Sequence, residues 1–275
     1  MSYQQDQKYG EAYGQGQYQQ QNWNQHSESQ QYGQQPPYPG PSQGQRPLGQ
    51  QDHGSFPGGS YFITHRDTNA VLNIDLQQGA VVKSKSGVMI HMSGTVAIQG
   101  NIKFSMRKMF TGGQMSETTF TGPGRVVLGP TLLGDIVTLP IDANSTWLIG
   151  KDVYLASTVD VKKDTKSQGF GKAFFSGEDL FVYKVMGQGL LWLTSYGAVD
   201  RIDLQPGEHH IVDNGHLVAW NCEYRVERTG GSTMTSMKTG EGFVCRFIGP
   251  GSVYIQTRNL DDFATWVRTA AGGQG

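Results

Sequence analysis

Long apolar runs, cysteine and surplus charge are all scarce in this 275-residue chain. Each scarcity excludes a class of function. No run of 18 apolar residues exists, so no membrane-spanning helix is expected. The two cysteines, Cys222 and Cys245, lie far apart without a C-x-x-C spacing. They read as small buried apolar residues of a reducing compartment, with no disulfide framework. The formal net charge is -1, which gives no electrostatic reason for nucleic acid or an anionic membrane to be the main partner. Lys162, Lys163, Lys166 and Lys172 form the densest basic cluster, but Asp160 and Asp164 interleave with it, and a solvated loop is the expectation. Within the first thirty residues Lys8 stands with Asp6, Glu11 and Glu28 and no arginine, so neither a secretory signal nor a presequence is visible. The expected address is the cytoplasm.

Branched aliphatic residues are also missing, but only locally. From Met1 to Pro57 there is no Ile or Val, and Leu48 is the one Leu. Such a segment cannot bury enough apolar surface to offset the entropy of ordering its backbone, so residues 1–57 are expected to form a disordered tail. Its "YGEAYGQGQYQQQNWNQ" is a Gln/Tyr/Gly composition that serves as a spacer or associates weakly through aromatic and amide groups. The Pro-rich "QQPPYPGPSQGQRP" that follows should be stiff and extended.

Beyond residue 58 short apolar runs begin, and with them a repeat. "GEGFVCRFIGPGSVYIQT" from Gly240 has a counterpart "GEDLFVYKVMGQGLLWLT" from Gly177 and a fainter one from Gly113, 63 and 64 residues apart. The G-x-G pairs recur in step as Gly122 and Gly124, Gly187 and Gly189, Gly249 and Gly251. A second landmark, a glycine ahead of an apolar strand, recurs at Gly87, Gly150 and Gly215 with the same period. Two landmarks sharing one period indicate three β units of about 64 residues, over about 66–130, 131–195 and 196–259. The fold class is therefore all-β, a sandwich or prism of pseudo-repeated antiparallel units within a 58–270 domain. A short helix at about 260–270 closes it, capped by Asn259 and carrying Phe263, Trp266 and Val267 at helical spacing.

Period-2 alternation after each G-x-G pair places Val126, Leu128, Leu191, Leu193, Val253 and Ile255 toward the core. The opposite face holds Arg125, Val127, Leu190, Trp192, Ser252 and Tyr254 and should be more accessible, which makes Trp192 and Tyr254 a candidate aromatic contact surface.

The motifs carry little chemistry. A phosphate loop needs a helix N-terminus after its glycines, whereas further β-type runs follow Gly124, Gly189 and Gly251, so the glycines read as turns with positive φ. "LQPGEHHIVDNGH" offers His209, His210 and His216 as metal ligands of a cupin-like site. Adjacent His209 and His210 point to opposite faces of a strand, however, and exposed hairpin residues are the plainer reading. Asp200 and Asp203 are likewise an odd number apart and do not form a carboxylate pair.

"LNIDLQQGAVVKSKSGVMIHM", "GQGLLWLTSYGAVDRIDLQPGEHHIVDNGHLVAW" and "GEGFVCRFIGPGSVYIQTRN" resemble the altered inheritance of mitochondria protein 24 family, grouped with folds like the tryptophan RNA-binding attenuator protein. The resemblance covers about Tyr61 to Phe263. It implies an all-β fold with internal pseudo-symmetry, frequent self-association, no established enzymatic activity and a link to mitochondrial membrane organisation, which sets a mitochondrial address against the cytoplasmic one. The expectation is a non-enzymatic scaffold or interaction module without a cofactor, which self-associates and binds protein partners. A cupin-like metal or small-ligand enzyme and an RNA-binding protein are the alternatives.

Overall fold

The computed structural model describes residues 53–100, 116–150, 152–164, 182–228 and 243–272. Most of the Gln/Tyr-rich tail, Lys166, Lys172 and the repeat glycines Gly113, Gly177 and Gly240 lie outside them. A hairpin of β1 (His53–Phe56) and β2 (Gly59–Thr64) comes first. Then follow β3 (Val71–Leu76), β4 (Val81–Lys85), β5 (Met89–Met92), β6 (Ala97–Gly100), β7 (Glu117–Thr121) and β8 (Gly124–Leu128). A second set comprises β9 (Ile136–Ile141), β10 (Trp147–Gly150), β11 (Tyr154–Thr158), β12 (Val161–Asp164), β13 (Val182–Gly187) and β14 (Gly189–Thr194). The third is β15 (Val199–Leu204), β16 (His209–Asp213), β17 (Leu217–Trp220), β18 (Glu223–Arg228), β19 (Phe243–Ile248) and β20 (Gly251–Gln256), and helix α1 (Leu260–Gly272) ends the chain.

The sets fall inside the three spans expected from the sequence, and their pairings recur. In each set the first, sixth and third strands form one triplet (β3-β8-β5, β9-β14-β11, β15-β20-β17). The second, fifth and fourth form the other (β4-β7-β6, β10-β13-β12, β16-β19-β18). The second triplet of one set joins the first triplet of the next, edge to edge and antiparallel, through β4 with β11 and β10 with β17. Two six-stranded sheets result, each shared between successive sets. The first sheet is the opening triplet of set one extended by β1 and β2, and the fourth, among the described residues, is the closing triplet of set three alone. A register shift recurs at equivalent places, between Met89 and His91, Tyr154 and Ala156, and Leu217 and Ala219. A bulge of this kind adds a residue and can turn neighbouring side chains to one side. Leu155 and Ala156 accordingly share one core cluster, and Val218 and Ala219 share another.

Three clusters of buried residues bind the layers. One joins Leu72, Ile74 and Leu128 of the first sheet to Ile136, Leu155 and Trp192 of the second. Another joins Leu139, Leu191 and Leu193 of the second sheet to Val218, Ala219 and Tyr254 of the third. The last joins Trp220 and Val253 of the third sheet to Cys245 and Phe247 of the fourth. The two middle sheets are therefore apolar on both faces, as strands covered on both sides must be.

This layering corrects two expectations. Trp192 is 0% exposed and Tyr254 5%, so neither offers a contact surface. Alternation by itself implies one buried and one solvated face, but a neighbouring layer covers the second face too. Trp192 packs edge-on against Phe56 and Tyr61 at ring separations of 5.9 and 5.3 Å, and Tyr254 lies 5.8 Å from Trp147. The tail also ends earlier than residue 57. β1 belongs to the fold because Phe56 fills the space beside Trp192 while the strand hydrogen-bonds to β2.

Helix α1 forms over residues close to those expected, with Asn259 Oδ1 accepting from the Asp261 backbone N–H at 2.9 Å. It is not packed on the sheets as an ordinary amphipathic helix would be. None of its residues is buried, and its apolar stripe of Phe263, Trp266 and Val267 stays exposed apart from a ring contact between Phe263 and Tyr196.

Candidate functional site

The histidines do not converge. His209 and His210 are neighbours on strand β16, and His216 sits in the 3-10 turn Asn214–His216, its Nδ1 2.7 Å from the Gln256 carbonyl oxygen. Among the described residues no group of three or more His, Cys, Asp or Glu side chains is placed to hold a metal. Asp203 is engaged by Arg201 at 2.8 Å and by the Ser252 hydroxyl, on a strand where Asp200 faces the other way.

The turn glycines divide by reason. Gly124, Gly187, Gly189 and Gly251 have φ of 136°, 110°, 143° and 150°, backbone that L side chains rarely adopt. Gly122 and Gly249 lack a positive φ; there a Cβ would run into the carbonyl oxygens of Gln77 and Gln205.

One buried polar cluster was not anticipated. Lys163, expected in a solvated loop, lies on β12 with its ammonium 2.6 Å from Glu117 Oε1 of β7, 3.3 Å from Ser157 Oγ and 3.7 Å from the centre of the Tyr154 ring. The Tyr154 hydroxyl lies 3.2 Å from Ser157 Oγ and 3.2 Å from the Lys83 carbonyl oxygen, to which it donates. Burial, assisted by the negative charge of Glu117, holds the Tyr154 phenol well above its usual pKa. Burial lowers that of Lys163, with Glu117 opposing the shift. A Lys, a Ser and a Tyr in contact could in principle serve nucleophilic chemistry. Here Ser157 is 0% exposed and the ammonium is engaged by Glu117 and Ser157, so the arrangement ties set one to set two. The half-buried pair Arg66 and Asp135, 2.7 Å apart, ties the same two sets. Sequence spacing could not reveal Lys163, because its partner is 46 residues earlier in another unit.

A cavity of about 230 Å³ opens between Lys85, Leu132, Asp152, Tyr154, Ser195 and Leu260. Tyr154 is one of its lining residues, and the hydroxyl of that residue is engaged by Ser157 and Lys83 inside the cluster.

The unfinished places in the layered stack are its ends. Ser84, Ile149 and Val212 pair with Thr118, Tyr183 and Cys245, each four residues before a turn glycine. His91, Ala156 and Ala219 pair with Val127, Trp192 and Tyr254, each three residues after one. These are equivalent positions. Between sets, Ser84 pairs with Ala156 and Ile149 with Ala219. Val212 and His91, the remaining equivalents, have no such partner among the described residues. Side-chain exposure follows. Ile90 is 55% exposed, whereas its equivalents Leu155 and Val218 are 0%. At the other end Ile211 is 49% exposed, and Ile202 and Ile255 are only half-buried where their equivalents Leu139 and Leu193 are buried. Met89 adds to the apolar surface beside Ile90.

Comparison with known proteins agrees with this architecture. The family described as mitochondrial biogenesis AIM24 matches residues 61–258. An uncharacterized protein of Streptococcus pyogenes serotype M6 is 31% identical over 210 residues, 70% of this chain and 84% of that protein. A crystal structure of a Streptococcus pyogenes protein superposes with a TM-score of 0.65 at 27% identity, covering 76% of this chain and 98% of the other.

Proposed function

The chain belongs to the mitochondrial biogenesis AIM24 family, and on that basis we propose that it is a non-enzymatic β scaffold that self-associates and presents its outer faces to protein partners in mitochondrial organisation. The observation that carries this reading is the sharing of sheets: successive units are joined by strand pairing, so the unit-to-unit joint is itself an assembly interface, and among the described residues one such joint is unmade at β5 and one at β16. A row of unpaired strand N–H and C=O groups is a template for another strand. Neither end of the stack is blunted by proline or by a run of lysines, since β5 reads Met89–Met92 and β16 reads His209–Asp213. The exposed Trp266 and Phe263 of α1 supply a further apolar face for a protein partner.

Sedimentation velocity of the full chain over a wide concentration range tests the reading. The expected result is a mass of several chains that falls on dilution. The mass of one chain at every concentration would contradict it. Fractionation of the native cell assigns the compartment, with recovery in mitochondria expected from the family's description and recovery in the cytosol from the N-terminal composition.

A further inference from the structure

We infer that copies of this chain join head to tail by pairing the outer edge of β16 in one copy with the outer edge of β5 in the next, in a register already used twice inside each chain. The inference rests on the proposed scaffold function and says which surfaces perform it. Internally, β4 meets β11 with Ser84 opposite Ala156, Lys83 opposite Ser157 and Val82 opposite Thr158. The next joint repeats this, with Ile149 opposite Ala219 and Leu148 opposite Trp220. Carried to the equivalent strands, the rule sets Val212 opposite His91 of the next copy, Ile211 opposite Met92 and His210 opposite Ser93.

Burial points the same way at both ends. When a second triplet joins the next unit's first triplet, that first triplet also lies over the previous one, which is how Leu155 comes to share a core with Leu72 and Ile74, and Val218 with Leu139 and Leu193. Among the described residues no earlier triplet joins the β5 edge, and Ile90 stands out in solvent. Among the described residues no triplet extends the β16 edge, and Ile202 and Ile255, packed against the last core cluster, are only half-buried, while Ile211 of β16 is exposed. One contact of a second copy would cover all of them. The two surfaces are unlike, so the contact is heterologous and gives a closed ring where the rotation per chain closes and a filament where it does not.

One residue breaks the pattern. His91 stands where the internal joints carry Ala156 and Ala219, both 0% exposed. The larger polar side chain makes the joint between chains weaker than those within, and His91→Ala should tighten association severalfold.

The test uses the full chain with Cys222 replaced by Ser. Copies carrying Met92→Cys are mixed with copies carrying Ile211→Cys and oxidised. Directly opposed strand residues have Cα atoms about 4.5–5.5 Å apart, within disulfide reach. A disulfide-linked pair is expected in the mixture and in neither variant alone. His209→Cys mixed with Met92→Cys is two residues out of register and should link at least tenfold more slowly. Ile211 and His209 are exposed, whereas Met92 is half-buried against the first core cluster, and circular dichroism checks that each cysteine variant keeps the fold. Assembly that persists without the expected link would overturn this pairing while leaving self-association standing. Absence of any assembly would overturn both. Assembly that begins only when residues 1–52 are removed would show the tail on the edge and overturn the pairing for the intact chain.

Discussion

The middle of this molecule and its two ends are built from the same strands, yet they meet water differently. Leu155 and Val218 sit in the middle at 0% exposure, whereas Ile90, at the same place in the first unit, is 55% exposed. The side chains are of similar size and polarity, so the difference lies in the neighbour. Position in the stack, more than residue type, decides whether a given apolar residue is core or contact surface. Nearest-neighbour stabilisation of this kind is the rule for repeat proteins, whose ends must be capped or used. The hairpin β1–β2 covers Trp192 with Phe56 and Tyr61 but leaves Ile90 and Met89 open.

The comparison breaks most severely if a doubly covered residue proves dispensable. Trp192→Ala should cost about 3–5 kcal/mol in urea unfolding, the range for removing a large buried aromatic. Trp192→Phe should cost less, because the indole N–H has no hydrogen-bond partner among the described residues. A loss under about 1 kcal/mol for the alanine variant would mean that the second face is not core.

At the last joint Cys245 senses the same enclosure, its thiol pushed up to about 12 from 9.0 chiefly by burial. The native thiol keeps its proton while the unfolded one ionises, so stability present below pH 9 is lost as pH rises toward 12. At about 1.4 kcal/mol per unit the loss reaches at most about 4 kcal/mol. Tyr154 works in the same direction above its ordinary value. Unfolding measured against pH should show this decline, and Cys245→Ala should make it shallower between pH 9 and 12. An unchanged slope would place the thiol in contact with water.

Ion pairs sharpen the contrast. Lys163→Met leaves Glu117 without its partner among covered strands and should cost about 2–3 kcal/mol, much of it recovered by adding Glu117→Gln. Arg125→Ala breaks an exposed, solvent-screened pair with Asp75 on the outer face of the first sheet and should leave stability nearly unchanged. Equal effects in the two places would remove the distinction between inside and end. Smallest of all in stability are Ile90→Lys and Ile211→Lys, each expected within about 0.5 kcal/mol of the parent chain at a concentration where it is monomeric.

Much of the fold was legible because it is written in local chemistry. Gly124, Gly189 and Gly251 must adopt positive φ, and that need prints the same residue at each turn. The apolar alternation of Leu191 and Leu193 gave one core face correctly. What stayed hidden depends on layers that no short window contains. Trp192 and Tyr254 alternate as a solvated face would, and only the adjoining sheets show them buried. Phe56 is a lone aromatic at the end of a tail-like composition, anchored by a residue 136 positions away. Lys163 sits among aspartates in the sequence but against Glu117 in space. The unit period itself sets Ile90 level with Leu155 and Val218, but its 55% exposure, against 0% for both of those, shows only in the layered structure.

The most direct measurement of the central claim uses two blocked chains, Ile90→Lys and Ile211→Lys, in sedimentation velocity. Each variant alone has one usable end and one charged end, and should sediment as a single chain. Mixed in equal amounts, the free β16 edge of the first and the free β5 edge of the second remain complementary, and the mixture should sediment as a pair of chains. A mixture that stays monomeric, or single variants that assemble as the parent chain does, would contradict head-to-tail joining of these two edges.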